Sequence, residues 1–132
     1  MKQSTLKTDT ELLSELFDKL PIPVWVKDED HRHVLANDAF CSHFGLKKED
    51  LIGTSDMPNL TIGRMNKIWK AEKQVLMSGV PDVNTMRMNF RDGKHHKVLI
   101  TKSLIRLHDN IKYILAVLDD VTEKDSLVKR LK

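Results

Sequence analysis

Residues 20–40 read LPIPVWVKDEDHRHVLANDAF, a run in which helix-breaking, strand-forming and helix-capping signals follow one another. Its two prolines end any helix that precedes them, because proline lacks the backbone donor and disfavours helix for the residue before it. Residues 24–28 then read as a strand, an acidic turn follows, and 33–36 read as its antiparallel partner. Asn37 is a good N-cap for a short helix, which Gly45 ends. The run therefore predicts a helix end, a β-hairpin and a second helix in succession.

Periodicity on either side of this run predicts the other elements. Upstream, an apolar stripe at helical spacing predicts a helix within residues 1–20, and a Thr8-x-x-Glu11 capping box places its start near Thr8. Downstream, residues 62–79 predict a long helix, and three further runs predict strands at 83–90, 97–107 and 111–121. The last strand is apolar on both faces, which is typical of a covered central strand. We predict an α+β fold, with one five-stranded antiparallel sheet, a helical block on one face and flanking N- and C-terminal helices. The first helix, alone or together with a second copy of the protein, is expected to cover the second face.

The composition is that of an ordinary globular domain. The chain has 132 residues, 40% hydrophobic and 31% charged, and a net charge of +3. No run approaches the roughly 20 apolar residues of a membrane span, and the first twenty residues carry acids among their leucines, unlike a secretory signal. The single cysteine, Cys41, excludes an internal disulfide. A cytoplasmic domain without membrane insertion is expected.

The positive charge is concentrated in one segment. Within residues 61–79 a single acid, Glu72, is outnumbered by four basic residues, Arg64, Lys67, Lys70 and Lys73. A solvated helix face is the first interpretation of this pattern and a phosphate-binding face the second. Because the net charge of the whole chain is only +3, no direct nucleic acid binding is expected.

Four segments in order resemble those of a PAS domain. They are the run 20–40, then GLKKEDLIG at 45–53, FRDGK at 90–94 and ILAVLDDVTE at 114–123. Asp28 and Asn37 match a strand that ends in aspartate and an asparagine that heads the next helix. Asp120-Val121-Thr122 resembles the D-I-T motif that ends the PAS core. The resemblance covers nearly the whole chain and implies the PAS fold.

The resemblance also implies the sensory module of a bacterial signal-transduction protein. Such a module is regulatory, and its output lies in a neighbouring histidine kinase, diguanylate cyclase or DNA-binding transcription regulator. This sequence carries the motifs of none of these, so a piece of a longer protein is expected. It also has no arranged catalytic triad and no Gly-rich phosphate loop, so no enzymatic activity is expected. The expected function is to sense a small ligand or cofactor state and relay it through the C-terminal helix. The alternative is a ligand-free dimerisation and interaction module.

These expectations divide the chain into three parts. Residues 1–20 form an amphipathic dimerisation helix, 21–121 the PAS core and 122–132 the start of a C-terminal signalling helix. Because one sheet face cannot cover the whole N-terminal stripe, a homodimer is expected to bury its apolar residues, Leu12, Leu13, Leu16, Phe17 and Leu20. The expected signal relay, where the last strand becomes the exit helix, consists of Asp120, Val121 and Thr122.

Strand parity and the facing usual in the family direct a set of side chains toward the helices. With two residues of the long helix, the candidate ligand-binding residues are Trp25, Lys27, Met65, Trp69, Met86, Met88, Val98, Ile100, Lys102, Ile114, Ala116 and Leu118. A buried ammonium is unfavourable unless it is paired. Lys27 and Lys102 are therefore expected either to pair with Asp120 or another carboxylate or reach solvent, or to hold an anionic group of a ligand.

The sequence leaves the cofactor unknown. His31-x-His33 and the pair His95-His96 could in principle hold a metal, but solvated turn residues are favoured because no third ligand stands nearby. Haem-binding PAS domains typically supply a histidine from the long helix, which has none here, and Met65 or Met77 is better explained as core filling. The loop TSDMPNLT lacks the cysteine that a covalent flavin adduct needs. A small organic ligand or a non-covalent flavin, with which Trp69 is compatible, stays open.

Overall fold

A computed structural model describes residues 2–55 and 60–123, with side chains from Thr8 onward. Its helices and strands in chain order are α1 (Lys2–Lys19), β1 (Val24–Lys27), β2 (His33–Ala36), α2 (Asp38–Phe44), α3 (Lys48–Leu51), α4 (Ile62–Ser78), β3 (Asp82–Asn89), β4 (His95–Arg106) and β5 (Lys112–Asp120). A 3₁₀ turn at His108–Asn110 joins the last two strands. None of the described helices is long and apolar enough to cross a membrane.

The five strands form one antiparallel sheet in the order β2-β1-β5-β4-β3. The predicted α+β class with a five-stranded sheet is confirmed. β5 lies in the centre, between β1 and β4, as its two apolar faces indicate. The β3–β4 hairpin turns at Gly93, whose φ of 76° is a left-handed conformation that glycine adopts without a steric penalty.

Asn37 joins the first hairpin to the helices. Its side-chain oxygen accepts from the backbone N–H of Phe40 and from that of Val24, both at 3.0 Å. Its amide nitrogen donates to the Ile22 carbonyl at 2.9 Å. The residue is completely buried, so one side chain caps α2 and also fixes where the chain enters β1.

The main core lies between one face of the sheet, the inner face, and the helices α2 to α4. The register places Trp25 opposite Ala116, Ile100 opposite Leu118 and Met86 opposite Val98, so these side chains share that face. They pack with Phe40, Leu51 and Phe90. A second cluster, at the C-terminal end of α4, packs Val75 and Leu76 against Ile114.

The first helix differs from its predicted form. It begins at Lys2 rather than near Thr8, because residues 2–7 hold no glycine or proline that would stop it. It lies beside α2, its Asp18 forms a 2.7 Å ion pair with Lys48 at the start of α3, and it does not bury its stripe on the sheet. Four of its five predicted contact residues are exposed, at 56% for Leu12, 67% for Leu13, 55% for Leu16 and 43% for Leu20. The predicted exit helix lies outside the described residues beyond Glu123.

Candidate functional site

A cavity of about 290 Å³ lies between α2, α4 and the inner face of the sheet. Most of its wall is apolar, from Trp25, Phe40, Phe44, Leu60, Ile68, Ala71, Met86, Met88 and Ile100. Eight polar side chains complete the wall, namely Lys27, His33, Arg64, Lys67, Glu72, Asp82, Asn84 and Lys102. An apolar pocket with a few convergent polar groups is the usual form of a small-molecule site.

Six of the twelve candidate ligand-binding residues line this cavity: Trp25, Lys27, Met86, Met88, Ile100 and Lys102. The other six lie elsewhere. Val98, Ala116 and Leu118 belong to the packed core, and Ile114 belongs to the second cluster. Met65 is buried on α4 without lining the cavity, and Trp69 stacks on the ring of His31 with centroids 5.8 Å apart.

A buried triad of charges stands in the cavity wall. The Lys27 Nζ lies 3.2 Å from Glu72 Oε2, and the Lys102 Nζ lies 3.3 Å from the same oxygen. All three residues are buried, with exposed fractions of 3% for Lys27, 7% for Lys102 and 0% for Glu72, so water does not compete for these contacts. The lysines stand on β1 and β4, on either side of β5, and Glu72 reaches both from α4.

The electrostatics keep the carboxylate charged. Burial alone would raise the pKa of Glu72, but Lys102, Lys27 and the hydrogen bond of His31, at 2.9 Å, bring it below its ordinary value. Burial lowers the pKa of Lys27, and Glu72 offsets this only in part. Two ammonium groups therefore share one carboxylate at the back of an apolar cavity.

Of the two pairings expected for the lysines, the one with Asp120 is wrong, because Asp120 pairs with His96; another carboxylate, that of Glu72, is their partner. Glu72 occurs at helical spacing between the apolar residues Trp69 and Val75 of the long helix, on its buried face. A charged residue at such a position indicates that it forms a buried ion pair.

The interpretation of His33 as a solvated turn residue is also wrong. His33 is 1% exposed in β2 and lines the cavity. Its Nδ1 donates to the Thr54 carbonyl at 2.8 Å, while its Nε2 has no hydrogen-bond partner among the described residues. Burial, together with the charge of Lys27, lowers the pKa of His33, so the ring is neutral at neutral pH. Among the described residues, no group of three or more histidine, cysteine or acidic side chains is arranged to hold a metal.

The exit junction, residues Asp120, Val121 and Thr122, is bonded to the start of β4. The backbone N–H of Val121 donates to the Lys97 carbonyl at 2.9 Å, and the Lys97 N–H donates to the Thr122 hydroxyl at 2.9 Å. That hydroxyl and the Thr122 N–H both donate to Asp120 Oδ1. The other carboxylate oxygen of Asp120 lies 2.7 Å from the Nδ1 of His96, whose Nε2 lies 2.8 Å from Asp92. The junction is thus bonded to β4 on both sides of Val121.

Comparison with known proteins shows which family and which solved structures this fold resembles. A family model described as the PAS fold matches residues 11–121. Among solved structures, a VqmA dimer from Vibrio cholerae determined in the absence of target DNA has a TM-score of 0.73 and 27% identity, over 83% of this chain and 52% of that chain. VqmA bound to DPO has a TM-score of 0.74 and 28% identity, over 87% of this chain and 58% of that one. The PAS domain of Bordetella pertussis BvgS, at 21% identity, shares the fold with a TM-score of 0.68, over 98% of this chain and 97% of that chain.

One curated relative has a similar sequence. It is the uncharacterised protein y4lL of Sinorhizobium fredii, 30% identical over 124 residues. The match covers 92% of this chain but only 15% of that protein. The chain therefore spans a small part of its curated relative and somewhat more than half of the VqmA chains.

Replacing Glu72 should show how far the fold depends on the triad. In Glu72→Gln two buried ammonium groups lose their counter-charge, and we expect the free energy of unfolding to fall by about 3–5 kcal/mol. The matched control is Glu49→Gln on the exposed face of α3, for which a change within about 0.5 kcal/mol is expected. Urea denaturation measures both. A loss in Glu72→Gln no larger than the control's would contradict the structure.

The His96 ring should stay protonated to a higher pH than an ordinary histidine. Both its nitrogens face carboxylate oxygens, so both must donate. Burial lowers its pKa, but the bonds to Asp92 and Asp120 outweigh this and raise it above its ordinary value. The stabilisation is fully present below about pH 6.5 and is lost as the pH rises through the raised value. In an NMR titration, Asp92→Asn should lower this pKa. Asp119→Asn, on the opposite face of β5, should not; equal titration in both variants would refute the bridge.

Proposed function

The chain belongs to the PAS family, and from this premise we propose that it is a sensor domain that binds a small organic molecule in the cavity beneath α4. The observation that carries the proposal is the unequal charge of the buried triad, in which two lysines share one carboxylate. A ligand with a carboxylate or another acceptor oxygen would complete their hydrogen bonding. We propose a regulatory role for this domain, as is usual for members of the PAS family.

The charged residues around the cavity favour an anionic ligand. Its wall holds four basic residues and two acidic ones, since Arg64 and Lys67 of α4 also line it. The basic segment of the long helix thus contributes two of its side chains to the cavity. We propose that these side chains attract an anion toward the site, while the aromatic and methionine side chains enclose its apolar part.

The similarity to VqmA supports a role in signalling. VqmA has been solved bound to DPO, and its structures concern a dimer, target DNA and LuxR-type receptors. We propose by analogy that this domain relays occupancy of its cavity to an output domain outside these 132 residues. Of the three outputs considered, a transcription regulator is favoured over a histidine kinase or a diguanylate cyclase. DNA would then contact the output domain and not this one, and the protein would act in the cytoplasm.

The proposed relay runs along β4. Lys102 and Ile100 of this strand line the cavity, and two and four residues further toward its start Val98 and His96 lie on the same face. His96 holds Asp120, and the backbone of Lys97 holds Val121 and Thr122. A ligand that moves β4 would therefore move the exit junction directly and change the direction of the chain that follows it.

Ligand binding can be tested on the purified domain by native mass spectrometry. We expect a bound small molecule that is released on denaturation. Lys27→Met, Glu72→Gln and Lys102→Met combined, which removes the charges without leaving one unpaired, should lower its occupancy by about tenfold or more. A control, Lys70→Met with Lys73→Met on the exposed face of α4, should retain it.

Two results would contradict the proposal. Equal occupancy in both variants would show that the lysines do not hold the ligand. A bare-chain mass, with no thermal stabilisation by the small-molecule fraction of a cell extract, would favour the ligand-free dimerisation module instead.

We further propose that α1 forms a homodimer contact with a second copy of the chain. Leu12, Leu13 and Leu16 are each more than half exposed, and an exposed apolar stripe of this kind marks a contact surface. The VqmA dimer shows that a protein with this fold can associate with its own copy.

Light scattering over a range of concentrations tests the dimer. Leu13→Glu with Leu16→Glu should raise the dissociation constant by about tenfold or more, because charges would be buried in the contact. Since both side chains are exposed in the single chain, the unfolding midpoint should change little. Met77→Glu, at a side chain that is 76% exposed on α4, is the matched control. A dimer that survives deletion of residues 1–20 would rule out α1 as the contact.

A further inference from the structure

The cavity wall contains a hydrogen-bond acceptor that the protein leaves unused. His33 is 1% exposed, lines the cavity, and has no partner for its Nε2 among the described residues. Most buried polar atoms in folded proteins are paired, so an unpaired one inside a binding cavity needs an explanation.

The state of the ring follows from its other nitrogen. The Nδ1 lies 2.8 Å from the Thr54 carbonyl oxygen, which can only accept, so Nδ1 carries the proton. A neutral ring then has a lone pair on Nε2 and no proton to donate there. The backbone holds the residue in place, because His33 N–H donates to Thr54 and the Gly53 N–H donates to the His33 carbonyl, both at 2.8 Å.

The charged residue on the neighbouring strand, Lys27, does not satisfy this acceptor. Lys27 stands directly opposite His33 in the register of β1 and β2, but its Nζ is engaged by Glu72. Each lysine of the triad has three N–H donors on its ammonium group, and the side-chain hydrogen bonds of Lys27 and Lys102 found within the described residues go to Glu72. One wall of the cavity therefore offers an unused acceptor next to unused cationic donors.

We infer that the ligand is a small hydroxylated organic anion, whose O–H or N–H donates to His33 Nε2 while its acidic group accepts from Lys27 and Lys102. This rests on the proposed function and specifies its ligand class. A plain hydrophobic acid would leave Nε2 unpaired, and a neutral alcohol would leave the lysines with surplus charge. His33 is then a specificity residue that rejects ligands lacking the donor, because rejection is strongest where a buried polar group would stay unpaired.

Matched aromatic acids test the inference. The 2-, 3- and 4-hydroxybenzoates are compared by isothermal titration calorimetry with the fluorobenzoates, in which fluorine is close to a hydroxyl in size but cannot donate. At least one hydroxy isomer should bind about tenfold more tightly than its fluoro counterpart. In the wild-type protein its addition should shift the ¹⁵N resonance of His33 Nε2, and the fluoro compound should not.

Two substitutions separate the acceptor from the fold. His33→Asn keeps an N–H for Thr54 but has no atom at the Nε2 position, so the preference for the hydroxyl should disappear. His33→Gln places an amide group near that position and should restore part of it. Thermal unfolding checks that both variants fold, and the nitrogen shift in the wild-type protein remains decisive if they do not.

The outcomes distinguish this inference from the proposed function. Binding of the benzoates with no hydroxyl preference, or a preference that persists in His33→Asn, overturns the ligand class and leaves the sensor proposal standing. Failure of every acid to bind also overturns the ligand class. The sensor proposal is then decided by the molecule that the purified protein retains, a measurement that uses none of these probes.

Discussion

One carboxylate, that of Glu72, holds two buried ammonium groups on separate strands, and the shape of the site depends on it. At the C-terminal end of α4, Val75 and Leu76 pack against Ile114 in an apolar cluster. Nearer the start of the helix, its contact with the sheet passes through the ion pairs to Lys27 and Lys102. There the cavity is lined by Arg64, Lys67, Ile68, Ala71 and Glu72 of this helix. The helix is thus seated by apolar packing at one end and by charge at the other.

Much of the sheet could be predicted because its signals are local. The Asp92-Gly93 turn fixes the β3–β4 register, and a period of two then assigns every side chain in both strands to a face. The same logic placed Lys27 and Lys102 on the inner face. Asn37 could be assigned as a cap because the backbone N–H that it caps, that of Phe40, lies only three residues further along the chain.

The partner of the lysines could not be found by the same means. Asp120 lies on the same face of the sheet as the two lysines, but in the register of β4 and β5 it stands opposite Val98. Four residues of strand, roughly 13 Å, separate Val98 from Lys102. The true partner comes from α4, 45 residues after Lys27 and 30 residues before Lys102. Its approach depends on how α4 crosses the sheet, which no local pattern encodes. The burial of His33 could not be predicted for a related reason, because its neighbours His31 and Arg32 are characteristic of a solvent-exposed turn.

The charge imbalance bears on what the domain does. Buried ion pairs often contribute less to stability than apolar residues of the same volume, so a module that only needed a filled core would gain little from this triad. A cavity that keeps surplus donors, an unpaired acceptor and open volume is more readily explained by an exchangeable occupant. β4 would then transmit the binding of that occupant to the exit junction. The strand that places Lys102 in the cavity wall also places His96 and Lys97 against the junction. Recognition and relay would thus depend on the position of a single strand.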